Sequence, residues 1–212
     1  MKISIHYSFW LLVIVFLFSG LFRELFLFLA VLGLHEAGHL LACFLFKQKV
    51  KKLNVTAVGG LMEVDIKNLG ALKELILYLS GVAANVLILF LSRYAGDHYL
   101  KSLLYKFNFL IIIFNILPVF PLDGYKATEV LLAQIINKPF TEQKALFFIS
   151  NLALAGLIYF FLKSKSFAFL VLFIYLFYRN ITHHARNRQI ALKKLVCRYQ
   201  KNRILMEKGN FG

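Results

Sequence analysis

Between Leu25 and Phe46 the chain is apolar apart from one insertion, His35-Glu36-Ala37-Gly38-His39. An apolar run of this length reads as a membrane-crossing helix, because backbone polar groups inside hydrocarbon must be satisfied within the segment. On a helix, residues four apart share a face. Both imidazoles can therefore reach a single metal ion, with Glu36 beside them to move protons. Two histidines and a glutamate are expensive to bury at bilayer depth, and a membrane segment seldom carries them without use. The pattern points to a catalytic metal site rather than to a structural or accidental cluster.

Composition extends the membrane reading to the whole chain. Of 212 residues, 60% are hydrophobic and only 17% are charged, with a mean hydropathy of +0.71. A soluble domain has no use for so much apolar surface. Apolar runs fall near 8–22, 25–46, 73–92, 98–117, 146–162 and 166–178. They predict an all-α polytopic membrane protein of about six transmembrane helices, the shorter runs implying tilt, bilayer thinning or a partly re-entrant element. The first run reads as a retained span, since Ser19-Gly20 is a weak cleavage site and a second run follows almost at once. Residues 1–178 form the membrane domain on this reading, and 179–212 a basic cytosolic tail.

The net charge of +15 does not imply nucleic acid, because its placement follows membrane topology. With six spans and the N-terminus inside, the cytosolic segments hold Lys2, six basic residues from Lys47 to Lys73, three from Lys126 to Lys144 and nine from Arg179 onward. Only Arg23, Arg93, Lys101, Lys106, Lys163 and Lys165 fall outside, and this bias favours both termini in the cytosol. The tail carries Ile190, Leu192, Leu195 and Val196 at roughly helical spacing among its basic residues, a pattern suited to anionic lipid and, second to that, an acidic protein partner.

A catalytic zinc wants three protein ligands and one open position. Cys43 cannot be the third if His35 is the first: eight residues span about 12 Å of helix, too far for one ion. Cys43 and Cys197 imply no disulfide framework, and Cys43 reads as a packing residue. His6, His98, His183 and His184 fall near segment ends or in the tail and read as solvated. Among the acidic residues Asp123 stands apart, at the end of an apolar run in Asn115-Ile-Leu-Pro118-Val-Phe-Pro121-Leu122-Asp123-Gly124. The prolines oppose regular helix there and Gly124 permits a turn that aims the carboxylate inward. Unwound backbone at that depth is tolerated where it lines a wet cavity. A loop aspartate in a simple turn is the plainer alternative.

Leu53 to Ile66 is rich in strand formers and broken by Gly59-Gly60, which predicts a short membrane-associated β-hairpin. Its exposed edge can take an added strand of substrate, since a peptide bond must be extended to be cut. A lipid-contacting loop is the alternative.

Taken together, these residues resemble the site-2 protease family of intramembrane zinc metalloproteases, through HEAGH in one apolar run and the Asn-x-x-Pro-x-x-Pro-Leu-Asp-Gly segment in a later one. In detail the chain looks most like the stage IV sporulation protein FB group, including the Val58-Gly59-Gly60-Leu-Met-Glu-Val64 stretch. The resemblance implies a zinc metalloendopeptidase in which His35, His39 and Asp123 bind one zinc ion and Glu36 is the general base. It further implies cleavage of a membrane-associated substrate near the cytosolic face. For the sporulation group that substrate is the pro-sequence of a sigma factor, held in check by inhibitory membrane proteins, in the membrane around the forespore of a sporulating bacterium.

Three departures stand out. Tyr125 replaces a second glycine after the aspartate; Ser80-Gly81-Val82-Ala-Ala-Asn85 lacks the proline of the family's Ala-Gly-Pro-x-x-Asn; and the group's usual CBS domain is not expected, nor is there room for a PDZ-type insertion. Asn85 and Asn115 are candidates either to bind the oxyanion or substrate backbone or to hold unwound backbone, and Gly59 and Gly60 are candidates for substrate contact. The competing class is a non-catalytic zinc-binding scaffold or metal transporter. A transporter should trace a path of intramembrane acids or histidines, and a scaffold has no need of Glu36.

Overall fold

The computed structural model describes residues 2–56, 59–65, 69–94, 96–136, 138–164 and 170–187. Most of the basic tail assigned to lipid contact, from residue 188 on, therefore lies outside the described residues. The chain divides into two compact units, residues 1–135 and 136–212.

The first unit is helical around one small sheet. Strand β1 (Lys2–Ile5) leads into helix α1 (Tyr7–Phe18) and then α2 (Phe22–Leu45). Strands β2 (Lys49–Thr56) and β3 (Gly59–Asp65) follow, and then helices α3 (Ala71–Leu91), α4 (His98–Ile116) and α5 (Asp123–Ile135). Helices α2, α3 and α4 are long and apolar enough to cross a membrane, and the chain is an integral membrane protein. Helix α1 is apolar but has 12 residues, about 18 Å of rise, well short of a ~30 Å hydrocarbon core. Polar side chains set two of the helix starts. His6 Nδ1 accepts from the Ser8 backbone N–H at the start of α1, and Asp97 Oδ1 accepts from Tyr99 N–H at the start of α4. Helix α4 ends at Ile116 because Leu117 takes the extended conformation (φ −61°, ψ 131°) that the following proline favours.

The starts of α2 and α4 are latched together. Arg23 pairs with Asp97 at 2.8 Å and lies over the Tyr99 ring, while the Tyr99 hydroxyl donates to Glu24. The Tyr99 N–H, and after it the Arg23 guanidinium, hold the Asp97 carboxyl below its ordinary range.

The expected hairpin is present as β2 paired antiparallel with β3, with a bulge between Val50 and Lys52. The sequence reading missed two elements. Strand β1 pairs parallel with β2 in the order β1-β2-β3, and its four residues are too few to show alternation. Helix α5 follows the proline-broken stretch and was not foreseen: the prolines end α4, but regular helix resumes at Asp123 itself. One face of the sheet rests on α2 and α3, where Val50, Met62 and Val64 pack against buried Ala42, Cys43 and Leu77. Cys43 is thus a packing residue, its sulfur 3.8 Å from that of Met62. On another side of α2, Val31 and Leu32 pack with Ile111 of α4.

The second unit contains helix α6 (Pro139–Ser164), of which Phe140–Phe160 is long and apolar enough to span, and a helical run over 170–187. Leu146, Leu154 and Leu176 are buried within it. His183 and His184 are half-buried rather than solvated as the sequence suggested, and Asn187 Nδ2 lies 2.9 Å from His183 Nε2.

Candidate metal centre

The first unit brings His35, His39 and Asp123 together, all buried, from α2 and from the first position of α5. Their facing atoms are close: Asp123 Oδ2 lies 2.9 Å from His39 Nε2 and 3.2 Å from His35 Nε2, and the two Nε2 atoms are 3.3 Å apart. Each imidazole is oriented from its other nitrogen. His39 Nδ1 lies 2.9 Å from the backbone oxygen of Leu77, which can only accept, so that nitrogen carries the proton. His35 Nδ1 lies 2.6 Å from the Asn85 side-chain oxygen. With both rings neutral and their protons on Nδ1, the two Nε2 lone pairs face each other and a carboxylate. That donor set suits a cation. Ligands of a tetrahedral zinc held at ~2.0–2.2 Å would lie ~3.3–3.6 Å apart, close to these separations.

Two further observations fit a bound ion. A Cβ on Gly81 of α3 would lie 2.3 Å from His39 Nε2 and 2.8 Å from His35 Nε2, so the glycine floors the space between the ligands. Glu36 Oε1 accepts from the Gly60 backbone N–H at 2.7 Å, while its Oε2 is buried with no hydrogen-bond partner among the described residues. A buried, half-satisfied carboxylate needs a proton, a water or a cation close by.

Close helix approach makes this assembly possible. Gly38, inside the motif, faces α3, and a Cβ there would lie 2.7 Å from the Ser80 carbonyl oxygen. Gly124 has the same kind of role. The sequence reading gave it a turn, but it is helical, and a Cβ on it would lie 2.1 Å from the Ile116 carbonyl oxygen. It lets α5 start hard against the end of α4, which brings Asp123 to the histidines.

His35, Glu36, Gly59, Gly60, Asn115 and Asp123 line one cleft. Gly59 and Gly60 open strand β3 instead of forming only a turn. Gly59 sits at φ 133°, where other residues are strained, and a Cβ on Gly60 would lie 2.4 Å from Glu36 Oε2. Asn115 donates to Ile111 O from the cleft wall. Asn85 is fully buried behind His35, its amide donating to Asn108. Gly81, Leu77 and Asn108 were not singled out as site residues from sequence. For Asn108 a signal existed, a lone amide in an apolar run seven residues before Asn115 and so on the same helical face.

No protein-family model matches the chain. Over 151 residues, covering 68% of the chain, it is 29% identical to stage IV sporulation protein FB of Bacillus subtilis (strain 168), and it spans about half (51%) of that relative's length. Among solved structures it is similar to the site-2 protease from Methanocaldococcus jannaschii, with a TM-score of 0.64 and 20% identity over 85% of this chain and 89% of that one. The chain is thus a sequence relative of a stage IV sporulation protein and has the fold of a site-2 protease.

Proposed function

We propose that this protein is an intramembrane zinc metalloendopeptidase of the site-2 protease type, in which His35, His39 and Asp123 hold one zinc ion and Glu36 is the general base. The observation that carries this reading is the meeting of the His35, His39 and Asp123 ligand atoms beside a cleft that the Glu36 carboxylate lines. Zinc bound there would supply Lewis acidity, acidifying a water and polarising the scissile carbonyl. Glu36 then takes the water's proton on Oε2, the oxygen with no partner, while the Gly60 N–H fixes Oε1 and so aims the carboxylate. The same oxygen returns the proton to the leaving nitrogen. Of the two asparagines, Asn115 lines the cleft and is assigned the oxyanion contact, and Asn85 the support of His35. The substrate segment is extended and adds to the edge of β3, whose other side is taken by β2.

Similarity to the sporulation relative supports a membrane-associated substrate of the pro-sigma-factor type cut near the cytosolic face, with inhibitory membrane proteins as partners. The charge distribution supports cytosolic termini and a tail on anionic lipid.

Co-expression with a candidate pro-sigma substrate tests the reading. Glu36→Gln keeps the side chain's shape but cannot accept the proton, so cleavage should fall to background while zinc content stays near wild type. A general base contributes roughly 10²–10⁴-fold. Normal processing by Glu36→Gln would sink the protease reading and leave the scaffold or transporter.

A further inference from the structure

The two imidazoles are oriented in different ways. His39 leans directly on main chain, through Leu77 O, with the Ser80 hydroxyl 3.2 Å away. His35 has only a side chain behind it, and that side chain needs support of its own. Asn85 Oδ1 faces His35 Nδ1 at 2.6 Å, Asn85 Nδ2 donates to Asn108 Oδ1 at 2.9 Å, and Asn108 Nδ2 donates to the Leu104 carbonyl at 2.7 Å. Both asparagines are 0% exposed and His35 2%.

We propose that Asn108 of α4 is a positioning residue for the metal-facing nitrogen of His35, acting through Asn85. The polarity of the chain is fixed from its far end. The Leu104 carbonyl can only accept, so Asn108 must turn its NH₂ toward it and its oxygen toward Asn85. Asn85 must then present its NH₂ to Asn108 and its oxygen to His35. That oxygen demands a proton on Nδ1, which in the neutral ring leaves Nε2 as a lone pair toward His39 and Asp123. One fixed backbone acceptor thereby sets a histidine tautomer two side chains away, as outer-shell partners of metal-bound histidines do. The arrangement also ties α3 to α4, and interhelical hydrogen bonds of this kind serve elsewhere as glue. The glue role alone would leave metal binding unchanged.

This inference rests on His35 as a metal ligand, and the test separates the two. The full chain in detergent is titrated with Zn²⁺ against a chromophoric chelator, and its Co²⁺ form is recorded in the visible. Asn108→Leu keeps the volume and removes both hydrogen bonds. Asn108→Ser can still bond Leu104 O but is too short to reach Asn85. Asn108→Asp, protonated at so dry a position, restores both bonds, with its C=O toward Asn85 and its O–H toward Leu104 O. Asn108→Leu and Asn108→Ser should lower zinc affinity about 10–100-fold and shift the Co²⁺ band, as outer-shell losses do. Asn108→Asp should stay within about threefold of wild type. Wild-type affinity and an unshifted band in Asn108→Leu or, should that variant not fold, in Asn108→Ser would overturn the inference. So would an Asn108→Asp variant as weak as Asn108→Leu. Wild-type protein that binds no zinc would instead overturn the metal site itself, and this inference with it.

Discussion

Gly81 lies so close beneath His39 that a single methyl group on it would come within 2.3 Å of Nε2. This contact, more than the spacing of the two histidines, turns a helix face into a cradle. Gly81→Ala should therefore abolish zinc binding while α3 still forms, since alanine is the better helix former. Zinc per chain by elemental analysis, beside circular dichroism, checks it. A fully loaded Gly81→Ala protein would show that the ion is not held between these rings.

Asp123 brings the third ligand atom, an oxygen, from the first position of α5, after the break between helices. Asp123→Ala should lower zinc affinity without unfolding the helices, because the helix start and the Gly124 contact remain. Unchanged zinc retention and unchanged cleavage would remove Asp123 from the ligand set.

The three atoms nearest a Cβ on Gly60 all belong to the Glu36 carboxylate. A methyl group there would first meet the end of a flexible side chain, so Gly60→Ala should fold and keep its zinc but displace the carboxylate. Cleavage should fall by at least about tenfold, within the range a general base contributes. The double replacement of Gly59 and Gly60 by Val should be more severe, since Gly59 at φ 133° tolerates no side chain without strain. Wild-type cleavage by Gly60→Ala would detach β3 from the chemistry.

Topology gives a prediction independent of the metal. Basic residues are concentrated in the segments assigned to the cytosol, so a reporter fused after Gly212 should be active only inside the cell. Activity confined to the outside would invert the orientation.

The site was legible in sequence where it depends on one element and faded where it depends on the distance between two. The pairing of His35 with His39 follows from helical spacing alone, and Glu36 comes with it. Asp123 could be singled out because an acid after an apolar, proline-broken run has few other uses. The glycines were seen but only partly understood. Gly124 suggested a turn and is helical, while Gly59-Gly60 do lie at the turn end of the hairpin; each also permits a close approach, to Ile116 O and to the Glu36 carboxylate. Such contacts join separate elements and leave no periodic trace. Strand β1 was missed for brevity, and α5 because prolines that end one helix say nothing of where the next begins.

Strand β3 grips Glu36 by a main-chain hydrogen, and the proposed substrate would lie along that same strand. Whatever tugs on the strand's outer edge must also tug on the carboxylate. An arriving peptide would thus shift the carboxylate that activates the attacking water, while an inhibitor pinning the sheet would idle the site from a distance. With substrate paired to β3 as proposed, the hydrogen bond at Gly60 would couple docking to proton transfer through a single amide.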